Sequence, residues 1–138
     1  NSSDEAAQIA AIKKSLSRPS NFEGLRLGAA SLIKGGLAKV AQSDDPRVRK
    51  AILERLALYE EGYLGYLKAA PGSYRARMNY AYLLIVETAL GEDHLEEARR
   101  LLEASYELSP GNPLTHVLHS VVLLYSGDIA RATAKIED

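Results

Sequence analysis

Cysteine and tryptophan are absent from the 138 residues, and phenylalanine and methionine occur once each. Without cysteine there is no disulfide, no zinc–thiolate centre and no thiol nucleophile, and the chain suits either redox compartment. No apolar run approaches the roughly 18–20 residues that cross a bilayer; the longest, Tyr80–Val86, is only a fragment of helix. An excess of either charge is also missing, because the net charge is −1 at pH 7. A nucleic-acid binder carries a basic stripe and a membrane-surface protein a polybasic patch, so neither class is expected. Glycine-rich phosphate loops, Gly-x-Ser-x-Gly, His-Glu-x-x-His and calcium-loop patterns do not occur. Nothing alternates with period two over a strand's length.

What remains is helical pattern. Hydrophobic residues make up 46% and charged residues 25%, ordinary for a globular chain. At this length about 68% of the unfolded surface can be buried, enough for a core. Asp4–Leu16 reads as a first helix, with Ile9, Ile12 and Leu16 on one side. Asn21 is placed to cap a second, from Phe22 to about Gln42. That helix holds Gly24, Gly28, Gly35 and Gly36, which calls for close packing or a break near Gly35-Gly36. Asp45-Pro46 is a cap-plus-proline start for a third helix, reaching about Ala70. A fourth runs from Ser73 to about Leu90 and is closed by Gly91. Asp93-His94-Leu95-Glu96 reads as a capping box before the fifth. Asn112-Pro113 starts a sixth, and Asp128 is placed to cap a seventh. The loops of two to five residues fit antiparallel hairpins. The expected fold is all-α, one domain over 1–138, with an irregular N-terminal part over 1–70 and two helix-turn-helix units over 74–112 and 113–138.

The two units carry a resemblance. The tetratricopeptide pattern W-x2-L-G-x2-Y, A-x3-F and P falls on His116, His119, Ser120 and Leu123, then Ala132 and Ile136. In the preceding unit it falls on Arg77, Tyr80, Ala81 and Leu84, then Ala98, Leu102, Ser105 and Pro110. Leu108–Pro113 resembles the inter-repeat turn and Ser126-Gly127-Asp128 the inner one. Residues 74–138 thus resemble the tetratricopeptide-repeat family, about half the chain. The first helix of the first unit is about five residues longer than the family's.

The resemblance implies a right-handed superhelix of about seven helices whose first helices line a groove for a peptide or partner helix. The places carried over are Arg75, Met78, Asn79, Tyr82, Ile85 and Val86, then Leu114, Val117, Leu118, Val121, Leu124 and Tyr125. The partner-binding set is Arg75, Met78, Asn79, Tyr82, Leu114, Val117, Leu118, Val121 and Tyr125. Asn79 matches a place used by family members that clamp a terminal carboxylate. Leu114 and Leu118 stand where those members need lysine and arginine, which argues against that clamp. The expected function is a non-catalytic interaction or assembly scaffold for a protein or peptide, without cofactor or metal.

The nearly apolar sixth helix has three explanations: cover by the N-terminal helices, cover by a further repeat, or an open site for a partner, including self-association. A start at Asn1 without methionine reads as a processed or excised chain. The lack of a polar capping helix makes Asp138 an expected interruption of a longer array. The other reading is an accessory domain of a larger envelope, secretion or polysaccharide-assembly protein. It would bind a small or glycan ligand through tyrosines near Arg75 and Arg77.

Other candidates read as packing or solvation. His116 and His119 share a helical face, but a zinc site needs at least three protein ligands, and both occupy core places of the repeat. Asp44-Asp45, Glu60-Glu61 and Glu96-Glu97 are adjacent, so each pair diverges by about 100° on a helix and does not form an acid–base couple. Glu87 is expected where an outer helix face emerges; if buried it needs a partner such as Arg99 or Arg100. Tyr59, Tyr63, Tyr66, Tyr74, Tyr80 and Tyr82 read as a seam between the third and fourth helices, or as a binding strip.

Overall fold

A computed structural model describes the backbone of residues 2–16 and 22–125, with side chains over 4–14 and 22–124. All its regular elements are helices: α1 (Ser2–Leu16), α2 (Phe22–Gln42), α3 (Pro46–Ala69), α4 (Tyr74–Ala89), α5 (Leu95–Leu108) and α6 (Pro113–Tyr125). The expected seventh helix, the Asn21 cap, the inner turn at Ser126–Asp128 and the repeat places at Ala132 and Ile136 lie outside the described residues. The chain divides into two compact units, 1–71 and 72–138.

In the first unit α2 and α3 form an antiparallel hairpin, and α1 packs on both. Asp45 caps α3 by accepting from the Arg47 amide at 2.9 Å, and Pro46 takes the first helical position. The Arg47 guanidinium also binds the Asp45 carboxylate at 2.8 Å. These bonds hold the carboxyl below its usual range, the Arg47 side-chain bond most. A depressed folded pKa stabilises above the unfolded value of about 3.9 and ceases to as pH falls through the folded value. Asp45→Ala is therefore expected to lower Tm at pH 7, and the gap to wild type to close in acid. Asp45→Asn, which keeps the cap acceptor, should lose less; thermal melts from pH 2 to 7 check both.

The glycines of α2 resolve as close packing rather than a break, since the helix is continuous from Phe22 to Gln42. A Cβ on Gly28 would lie 2.5 Å from Tyr59 Oη, and one on Gly36 would lie 3.0 Å from Ile52 Cγ2. Phe22 of α2 meets Tyr66 of α3 at 5.4 Å between ring centroids. From α1, Gln8 accepts from Arg55 Nε at 2.6 Å, while Arg55 Nη1 binds the Ala51 carbonyl.

Tyr63 is buried, and burial pushes its phenol up to about 12, with Arg26 opposing in part. The unfolded chain ionises this group near 10, so between about 10 and 12 the unfolded state loses the proton first. Stability should fall as pH rises through that window, by about 1–3 kcal/mol in all. Burial raises Tyr59 as well, so absorbance titration of phenolate should show late-ionising tyrosines, with the component near pH 12 missing in Tyr63→Phe.

In the second unit α4, α5 and α6 form two successive antiparallel hairpins. Tyr80 of α4 donates to Glu97 of α5 at 3.1 Å, and Ser105 near the end of α5 donates to the Tyr74 carbonyl at the start of α4. Ser105 also meets Thr115 of α6 at 3.5 Å, and Tyr106 stacks edge-on against His116 at 4.9 Å. Ser73 caps α4 through the Ala76 amide, and Asn112 accepts from the Leu114 amide at the start of α6. Gly91 closes α4 at φ +111°, a conformation that side chains disfavour. Helix α5 buries Ala98, Leu102 and Ser105, spaced i, i+4 and i+7, and turns its charges outward.

Two details differ from the sequence reading. The capping box at Asp93–Glu96 does not form. His94 is the N-cap residue of α5, so Glu96 sits one place too early to reach back and pairs with Arg99 instead. The His94 amide is satisfied by Thr88 Oγ1 at 3.0 Å, and Asp93 accepts from the Leu95 amide. Glu87 is fully buried rather than on an outer face. Leu83 to Glu87 are buried consecutively, and five residues at about 100° each exceed a full turn. The stretch Leu83–Glu87 therefore has no outer face, and exposure returns only at Ala89. Arg99 binds Glu96 and Glu103, and Arg100 lies against Glu96.

Candidate functional site

Helix α6 is the one described helix without a charged residue. Its sequence, Pro113-Leu-Thr-His-Val-Leu-His-Ser-Val-Val-Leu-Leu-Tyr125, carries enough apolar residues to cover more than one face. Thr115, Leu118, His119, Ser120, Val122 and Leu123 are buried. On the other side Leu114 is 49% exposed, Val117 56% and Leu124 49%, with Val121 half-buried between them. These four positions follow a 3-4-3 spacing, which keeps them on one stripe along the helix. Exposed large hydrophobics elsewhere are scattered over other helices, Leu27, Leu37 and Leu64 among them. Scattered ones are ordinary, whereas a contiguous strip on an uncharged helix is not.

Helix α4 carries a more polar strip of its own. Arg75 is exposed, Asn79 half-buried and Tyr82 43% exposed, spaced i, i+4 and i+7. Asn79 Nδ2 donates to the Arg75 carbonyl at 2.7 Å, which fixes the amide on its own helix. The two helices touch where Thr115 Oγ1 approaches Met78 Sδ at 3.6 Å.

Seven of the expected site residues are thus on or near the surface or outside the side-chain description, and two are not. Arg75, Asn79, Tyr82, Leu114, Val117 and Val121 are reachable from solvent, while the side chain of Tyr125 lies outside the described set. Met78 and Leu118 are each about 8% exposed and belong to the core. Met78 is turned onto Thr115, and Leu118 takes the inward side of α6 with Val122. The groove residues Ile85 and Val86 are buried in the same way. Leu124 completes the apolar stripe. The absence of charge from Pro113 to Tyr125 is the sequence signal that marks it.

The remaining candidates have structural employment. His116 Nε2 lies 3.2 Å from the Pro110 carbonyl, and His119 is buried with Nε2 3.8 Å from Glu103. Among the described residues neither belongs to a group of three metal-capable side chains. The carboxylates of Glu96 and Glu97 diverge, one to Arg99 and the other to the Tyr80 hydroxyl. The six clustered tyrosines divide between the two units. Tyr59 and Tyr63 are core residues of the first; Tyr80 is core in the second, and Tyr82 stands open on α4. A site for a small ligand built on Tyr80 would have to break its bond to Glu97.

No protein-family model, curated protein or solved structure matches this chain, so the tetratricopeptide resemblance stands on its own residues.

Proposed function

We propose that this chain is a non-catalytic interaction module whose helical hairpins stack as a right-handed, tetratricopeptide-like array. In this reading the partner, a protein or peptide, docks on the face formed by Leu114, Val117, Val121 and Leu124 of α6. The strip Arg75, Asn79 and Tyr82 of α4 forms the second wall. The observation that carries the proposal is the exposed, uncharged stripe on α6, because apolar surface left in water is expensive unless something covers it for part of the protein's life. The antiparallel α4–α5–α6 arrangement supports it, since it gives adjacent first helices of two units, as the repeat requires.

Site-specific photo-crosslinking in extract of the source cells tests the proposal. A benzophenone side chain at position 117 is expected to capture one protein, identified by mass spectrometry, that a benzophenone at position 27 does not. The same capture from both positions would contradict it, because Leu27 is equally exposed but isolated on α2.

A further inference from the structure

We infer that Arg55 and Gln8 form a binding site for the carboxylate of a small monoanionic acid. The site belongs to the first unit and is independent of the α6 face.

Arg55 is the one buried arginine among the described residues, at 8% exposed. It lies on α3, against which α1 packs. A guanidinium stays charged throughout the pH range of a folded protein and offers five N–H donors. Two are spent here: Nε donates to Gln8 Oε1 at 2.6 Å and Nη1 to the Ala51 carbonyl at 2.9 Å. Both acceptors are neutral. No carboxylate of the described residues forms an ion pair with Arg55, Asp4 and Glu5 one turn before Gln8 on α1 included. A buried charge is costly unless an opposite charge meets it, so the position lacks a counter-ion. Nη2 donates to nothing among the described residues, and it is not sealed from solvent. An anion can therefore reach it from outside.

Gln8 completes the site. Its carbonyl end is turned to Arg55, because only oxygen accepts from Nε–H, and the amide's NH2 end is left unspent. Gln8 itself is exposed on α1. The pair thus supplies one full positive charge and a neutral donor group, which balances a single negative charge. A carboxylate carries that charge, and its two oxygens suit the parallel N–H groups of a guanidinium. A phosphate ester brings about −1.5 to −2 at pH 7 and would stay partly uncompensated. With so little of Arg55 exposed, the contact is one small group rather than a broad surface.

Acetate is the probe, titrated into the full chain while the arginine Nε–Hε signals are followed by NMR at constant ionic strength. The Arg55 signal is expected to shift saturably with acetate, and chloride to be at least tenfold weaker. Arg55→Lys should remove the response. Gln8→Glu places a carboxylate against the guanidinium within the chain; it should abolish acetate binding and raise Tm. Arg49→Gln should change nothing, because Arg49 is exposed on the same helix.

No saturable shift at Arg55 in the wild-type chain would overturn the inference. So would an acetate response that survives in folded Gln8→Glu, an outcome that stays readable if Arg55→Lys fails to fold. Loss of the response in Arg49→Gln would place the anion elsewhere and sink the site. Inorganic phosphate acting at tenfold lower concentration than acetate would show that the site takes an oxyanion of another class, and the carboxylate would be wrong.

Discussion

Leu102→Ala is expected to lose about 2–5 kcal/mol of unfolding free energy. Leu102 is fully buried at the middle of the inward stripe of α5, between Ala98 and Ser105, where α5 packs along α4. Alanine removes the methyl groups that fill this seam and leaves a cavity whose walls are two helices already bonded to each other. The Tyr80–Glu97 and Ser105–Tyr74 hydrogen bonds tie the two ends of α5 to α4, so the seam cannot close freely over the gap. Urea unfolding followed by helical circular dichroism measures the loss. A change below about 1 kcal/mol would mean that α5 is not held by this stripe.

Gly28→Val should be the next most damaging change, at about 1–3 kcal/mol from overpacking. A Cβ there would stand 2.5 Å from Tyr59 Oη and 2.9 Å from Cε1 of the same ring. The ring is buried and has little room to retreat. In helices glycine usually costs about 1 kcal/mol against alanine, so its retention in α2 needs a reason, and the approach of Tyr59 supplies one. Gly35 is the internal comparison: it has nothing within 4 Å of an added Cβ, and Gly35→Ala should stabilise by up to about 1 kcal/mol. Tyr59→Phe removes the nearest atom and should recover part of the Gly28→Val loss. Equal effects of Gly28→Val and Gly35→Val would contradict the account.

These two seams also mark where the sequence was informative. The ends of the helices were legible because caps act locally: Asp45-Pro46, Ser73, Gly91 and Asn112-Pro113 each punctuate the chain through the adjacent amides or a special φ. The start of α5 departs from the capping-box motif because a competing acceptor, Thr88, comes from the preceding helix. Glu87 is buried against the expectation because one helix's periodicity does not say how many neighbours it has. The candidate face shows the same division. The missing charge on α6 is legible directly, whereas Leu114, Val117 and Val121 come from the register of the repeat. The same register puts Met78 and Leu118 in the groove. Only packing reveals that Met78 turns onto Thr115 and that Leu118 takes the inward side. The partner's identity is not written in either, because an apolar stripe specifies shape and lack of charge but no sequence.

The central claim is that the α6 stripe stands open to solvent in the free protein. Methyl NMR with a soluble paramagnetic agent tests it most directly. The account predicts that the methyls of Leu114, Val117 and Leu124 broaden as strongly as those of Leu27, while Leu102 and Leu123 remain sharp. Protection of all three α6 residues to the level of Leu102 would show the face already covered and would contradict the account.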